Sequence, residues 1–389
     1  MTPLDRFPPT REAALARLAE VSAPDYALSR NALNGAVTRL SPYITHGVVS
    51  LPEVLAHVAT RHALHPRHKL VFELSWREYF QHVWHHRGEG IFRSLHQGPV
   101  PEQAYLTDLP QDIREGRTGV PVVDQAVRAL YATGYLHNHA RMWLASYVVH
   151  LRKVHWGAGA DWMVAHLLDG DLGSNHLSWQ WIAGTASAKP YLFNADNVER
   201  FAPPAWHSRG SVIDTSYAEL ERWAHSESAV PISPTAASID EPLRQSRPPI
   251  EFQSDACDVS GRDVWLIHPW ALGEPPADLP ANTLRWGWWP SDHHARWPWA
   301  GSRWRFVGQR MAALAEGILH ADSPTLARWL APAKSVQTLS NPHVAPLLPP
   351  GVLQRAPPRL FAAVDRPCES FSAWWKQVMQ GVNKIEDFL

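Results

Sequence analysis

Cysteine is nearly absent from this chain of 389 residues, which has only Cys257 and Cys368. Two thiols are too few for a disulfide framework, a thiolate zinc site or a four-cysteine iron–sulfur cluster, and no metal is expected. Long apolar runs are missing too. No early apolar segment follows a basic amino terminus, and no run is long enough to span a bilayer, so the protein is read as soluble, unexported and cytoplasmic, with no membrane partner. An excess of one charge is also lacking: 36 basic and 37 acidic side chains leave a formal net of -1. That balance excludes a globally basic nucleic-acid binder but leaves room for a local basic surface. What the chain has in quantity is tryptophan, 20 residues against 9 Tyr and 11 Phe. Most of these belong in a core, and some are available as stacking platforms or electron relays.

The length points to two domains. From Arg11 to about Arg200 the apolar spacing is helical, in Arg11 to Val21, Ser50 to Leu64, His68 to His86, Val120 to Gly134 and His139 to Trp156. Gly134 stands where a helix C-cap is expected. Residues 1–228 are therefore assigned to a helical domain. Residues 229–258 form a Ser/Pro-rich linker or surface wrap, whose composition buries too little apolar surface to order itself. Residues 259–389 alternate strands with helices, which suggests a small parallel α/β domain. The strands expected are DVWLIHPWAL (from Asp263), TLRWGWW (from Thr283), SVQTLS (from Ser335) and RLFAAV (from Arg359), with helices at Ser302 to Leu319 and at LARWL.

Four stretches concentrate chemistry. In "LLDGDLGSNHLSWQW" (Leu167 to Trp181) two aspartates and an asparagine follow a helix. Trp179 and Trp181 would diverge by about 200° on a helix and so serve two different pockets. A polar turn capping a helix above Trp anchors is the plainer alternative. In "FELSWREYF" (Phe72 to Phe80), Glu73, Trp76 and Arg77 share a helix face that suits a planar ligand and a phosphate, or merely carries an internal Glu–Arg pair. "GYLHNHARM" (Gly134 to Met142) sets His137, Asn138, His139 and Arg141 at a helix start, suited to an anionic ligand or to capping alone. "AVTRLSPY" (Ala36 to Tyr43) offers Thr38, Arg39 and Ser41 in a turn able to hold phosphate.

In order and spacing these stretches, with "LSPYITHG" and "TGVPVVDQAVRALYATGYLHNHARM", resemble the flavin-binding helical domain of the photolyase and cryptochrome family, from about Tyr26 to about Tyr191. The fold implied is mainly α, a helical FAD-binding domain of photolyase type with a smaller C-terminal α/β domain. The resemblance implies FAD contacts at Tyr26, Thr38, Leu40, Ser41 and Arg77. Val37-Thr38 stands where many relatives have Thr-Ser. Asp169 and Asp171 would be the acids at the flavin edge and the adenine–ribose side, with Arg141 the partner of Asp169. Asn175 would face flavin N5, where a neutral amide bonds either protonation state. Trp179 and Trp156 are implied as electron relays. No Trp stands at the usual distal position, near Gln103 and Tyr105, so Trp143, Trp162 or Tyr105 are candidates for a rerouted path.

Trp76 and Trp181 resemble the pair that packs against a flipped-out pyrimidine dimer, with Glu73 bonding its bases and Asn138 and Met142 lining the pocket. The implied reaction is light-driven repair of cyclobutane pyrimidine dimers in DNA by an electron from excited, reduced FAD. His139 replaces an arginine expected at the DNA, where a charged or hydrogen-bonding ring would partly substitute. Arg39, Arg77, Arg141, Lys153 and Lys189 are candidates for a basic rim. About 25 residues precede Tyr26, so the C-terminal domain is expected to be a relocated antenna-like module with an undetermined chromophore, in a monomer. The competing functions are a cryptochrome-like photoreceptor without repair and a degenerate flavin-binding scaffold.

Overall fold

The computed structural model describes residues 3–389. Helices α1 (Arg11–Ala19), α2 (Leu51–Ala59), α3 (Lys69–Arg87), α4 (Pro121–Thr133), α5 (Asn138–Ser146), α6 (Trp156–His166) and α7 (Leu172–Ala183) carry the first domain. Their ends follow from local chemistry. Thr10 caps α1, a Ser50/Glu53 capping box starts α2, and Asp171 caps α7 by accepting from the Ser174 N–H. Gly134 (φ 62°) and Gly184 (φ 76°) close α4 and α7 in the left-handed conformation.

The helix expected from His139 to Trp156 is broken. It widens into a π-turn at Tyr147–Leu151 and reverses at Lys153, a non-glycine residue with φ 51°. The buried Lys153 ammonium donates to the Trp223 and Ala224 carbonyls, so Lys153 belongs to the interior and not to a basic rim. Residues 144–151 are buried on every face of the helix, polar Ser146 and His150 included, so periodicity could not mark the break.

The second domain is a parallel sheet of β1 (Asp263–Ile267), β2 (Leu284–Pro290), β3 (Gly317–Ala321), β4 (Ser335–Leu339) and β5 (Leu353–Arg355), in the order β3-β2-β1-β4-β5. Helices α8 (Gly301–Leu314) and α9 (Ser323–Leu330) connect its strands, and α10 (Phe371–Val378) follows it. The helix expected to reach Leu319 stops at Leu314, and Gly317 opens β3 instead. RLFAAV is not a strand. The Glu78 carboxylate accepts the Leu360 and Phe361 N–H groups (2.6 and 3.2 Å), which draws this segment onto α3 and leaves β5 as the fifth strand.

The linker wraps the molecule. Arg244–Gln245 pairs antiparallel with Trp299–Ala300, and Glu241 bonds the buried His166 on α6. A single apolar cluster joins Phe7, Leu40, Val54 and Leu168 to Val264, Trp289, Trp304 and Val344, so the two domains share a core. Among the described residues no helix is long and apolar enough to cross a membrane.

Burial lowers His150 and His268 to about 4. Above pH 6.5 both are neutral whether folded or not. Between 6.5 and about 4 the unfolded chain takes up protons that the native protein refuses, so acid destabilises it. Denaturant unfolding at stepped pH should lose up to about 1.4 kcal/mol per pH unit for each histidine across this window. A flat profile there would contradict the assignment.

Candidate functional site

The turn between α6 and α7, Leu167 to Asp171, is the centre of the site. Asp169 lies in it, 6% exposed, and receives two bonds from Arg141 of α5 (3.0 and 2.8 Å). Burial opposes ionisation of this carboxyl, but Arg141, Ser41 and Arg77 outweigh it and hold Asp169 below the usual carboxylate range. The Thr45 hydroxyl donates to the Asp169 carbonyl, and Arg77 of α3 donates to that hydroxyl at 2.9 Å. Asp171 accepts from Ser174 N–H and, at 3.2 Å, from Gln81 of α3. Asn175, buried on α7, donates its amide N–H to the Ala160 carbonyl, and its Oδ1 makes no hydrogen bond among the described residues.

Tyr26 sits half-buried on the short helix Ala23–Ser29, its phenol pushed up by burial and then by Glu73. Thr38 accepts from Leu40 N–H, and Ser41 opens the helix Ser41–Thr45. The Leu40 side chain is in the core, which leaves only its backbone for a ligand. Arg39 is exposed with φ 51°.

Glu73 pairs with Arg30 at 3.1 Å, not with Arg77 four residues along its own helix. Burial pushes the Glu73 carboxyl up, partly offset by Arg30 and Lys69. Arg30 and the neighbouring Asn31 join two of the quoted stretches, because the Asn31 carbonyl accepts from His139 Nδ1 at 2.7 Å. His139 itself stacks on Trp143 (4.7 Å between centroids) and packs on Phe201, and burial lowers its pKa. Burial therefore works against a charge on this ring, which packs as an aromatic partner. Next to it the exposed Asn138 reaches the Met142 sulfur at 3.7 Å.

The tryptophans divide as their spacing predicts. Trp179 is buried, and Gly159 leaves room for it, since a Cβ there would collide with the indole. Trp181 is 39% exposed and leans on Tyr191. Trp76 stacks on Phe371 of α10 (3.9 Å, interplanar 12°), a partner that no local pattern announces. Trp156, buried, donates to Ser94 and packs on His155 at 5.3 Å, and Tyr105 meets His155 edge-on at 6.3 Å. Trp143 and Trp162 have no ring contact with Trp156 or Trp179 among the described residues; Trp162 instead lies against Tyr131 and His166.

Residues 70–238 match the family described as the FAD binding domain of DNA photolyase. A deoxyribodipyrimidine photo-lyase of Thermus thermophilus is 38% identical over 225 residues, 54% of this chain and 52% of that one. A second, from Synechococcus sp., is 31% identical over 236 residues, covering 55% and 45%. A cryptochrome DASH of Idiomarina loihiensis is 30% identical over 251 residues, covering 62% and 54%. The chain spans about half the length of these curated relatives.

The residues present fit FAD. Arg39 and Arg77 form no ion pair within 4.0 Å of a carboxylate among the described residues, which suits a pyrophosphate. The Ser174 hydroxyl is buried without a partner among the described residues.

Replacing Arg141 with Met would strand the buried Asp169 charge. Urea unfolding at neutral pH should report a loss of about 3 to 5 kcal/mol. A loss below about 1 kcal/mol would mean that the ion pair is not the clamp described.

Proposed function

The helical region of this chain belongs to the photolyase/cryptochrome family with FAD as its cofactor, and on that premise we propose that the protein repairs cyclobutane pyrimidine dimers in DNA under light. The observation that carries this reading is the junction at Arg30 and Asn31, which links Glu73 on α3 to the α5 start bearing Asn138 and Met142. When bound, reduced FAD would lend the light-driven electron that opens the two cyclobutane bonds and would take it back once they have split, so that the repair is redox-neutral.

The protein's own groups divide the remaining work. Arg39, Arg77, Thr38, Ser41 and Tyr26 hold the phosphates and sugar chain, with the Leu40 backbone beside them. The Arg141–Asp169 pair and Asp171 fix the ring edge and the ribose. The Asn175 Oδ1 accepts from a protonated ring nitrogen. Trp76 and Trp181 replace the stacking that a flipped-out dimer loses, and such a lesion is cheap to extract because it already stacks poorly. Glu73, whose carboxyl is pushed up, shares a proton with a pyrimidine carbonyl. His139 contributes shape and its ring acceptor, without charge. Trp179 and Trp156 pass reducing electrons inward, and Tyr105, reached through His155, is the outer member in place of a third Trp.

A second reading, a light receptor without repair, is favoured by the packing of His139 between Trp143 and Phe201, where burial disfavours its charge, and by Phe371 lying face-on against Trp76.

The test is chromatography of a thymine-dimer oligonucleotide after blue light with photoreduced protein, against a dark control. Light-dependent return of intact thymines is expected. FAD that photoreduces while the dimer persists would favour the receptor. Trp181→Ala should weaken binding of dimer-containing DNA by about 1 to 3 kcal/mol while FAD stays bound. Unchanged affinity would remove Trp181 from the DNA site.

A further inference from the structure

In open parallel sheets, ligands bind in the crevice beyond the carboxyl ends of the strands where strand order reverses. Here the reversal falls between β1 and β4. The loop after β1 brings Trp270 and the loop after β4 brings His343, and the two rings fill the crevice as a stack, 4.0 Å between centroids and 12° apart.

That stack faces the aspartate turn of the other domain. His343 Nδ1 bonds the Asn341 Oδ1 at 2.7 Å, which puts the ring proton there and leaves Nε2 as an acceptor. Nε2 accepts the Leu172 N–H at 3.2 Å and lies 3.8 Å from the Asp171 carboxylate. From α8, Arg303 reaches the same turn fully buried. Its guanidinium lies over Trp299 (3.9 Å) and donates to the Val164 carbonyl at 2.9 Å and to the Gly170 carbonyl. Gly170 has no space for a Cβ, because Arg303 and the Val164 carbonyl occupy it. Backbone groups on both sides of Asp171 are thus held from the α/β domain.

We propose that the α/β domain uses its crevice as a clamp on the aspartate turn, which makes Arg303 and His343 positioning residues of the cofactor site. The inference rests on the reading of Asp169 and Asp171 as FAD-holding acids. It also assigns to a protein contact the crevice where a second chromophore would be sought.

The test uses the full chain and three variants. His343→Phe keeps a flat ring but removes the acceptor, Arg303→Met removes both donors, and Arg303→Lys retains charge with poorer reach. Hydrogen exchange of peptides covering 164–176 and FAD affinity by absorbance titration are the readouts. His343→Phe and Arg303→Met should exchange at least about ten-fold faster in that segment alone, with the sheet unchanged, and bind FAD at least about ten-fold more weakly. Arg303→Lys should fall between them and the parent. Folded variants with parental exchange, or with parental FAD affinity, would overturn the clamp. So would loss of folding in all three, since the contacts would then be general core packing. Asp169→Asn serves as the control: if it binds FAD as the parent does, the reading of the acid fails, while the exchange result still judges the clamp.

Discussion

A carboxylate buried as deeply as Asp169 is tolerable only when its charge is met on the spot, because desolvation costs several kcal/mol and is repaid only in good geometry. Arg141 meets it with two hydrogen bonds, and the hydroxyls of Ser41 and Thr45 and the guanidinium of Arg77 complete the surroundings. These groups come from α5, the helix Ser41–Thr45 and α3. One charge therefore fixes how three elements approach the turn between α6 and α7. The residues attributed to the cofactor are in this sense also the residues that set the packing of the helical domain.

Much of that domain was legible because its signals are local. α3 starts and stops within one residue of its periodic stretch, and Gly134 ends α4 in the conformation that glycine favours. The Asp169 turn and its Arg141 partner were visible through resemblance. What stayed hidden has no local signature. Arg30 lies 43 residues from the Glu73 that it neutralises, and within α3 the nearer Arg77 was the natural candidate. His139 is packed not only by Trp143, four residues along α5, but by Phe201, which lies 62 residues away. Phe371 and α10 reach Trp76 from the far end of the chain, and RLFAAV looked like a strand because the pull of Glu78 on its amides is invisible in sequence.

The abundance of tryptophan has a structural meaning beyond any relay. Each indole offers a large apolar body and a single donor. In the α/β domain those donors stitch down the Ser/Pro-rich wrap: Trp304 bonds the Gln245 carbonyl, Trp289 that of Phe252 and Trp329 that of Cys257. A segment whose composition cannot order itself is ordered by rings that need one acceptor each. The linker is accordingly part of the fold and not a tether between independent bodies.

The hydrogen bond from Leu172 N–H to His343 joins residues 171 apart. On a ribosome that adds roughly 5 to 20 residues per second, the acceptor emerges about 10 to 35 s after the donor. For that interval the aspartate turn stands without the contacts that Arg303 and His343 bring to it. The order of the two domains thus sets a window in which the Leu172 N–H and the Gly170 carbonyl lack the partners that the finished protein gives them.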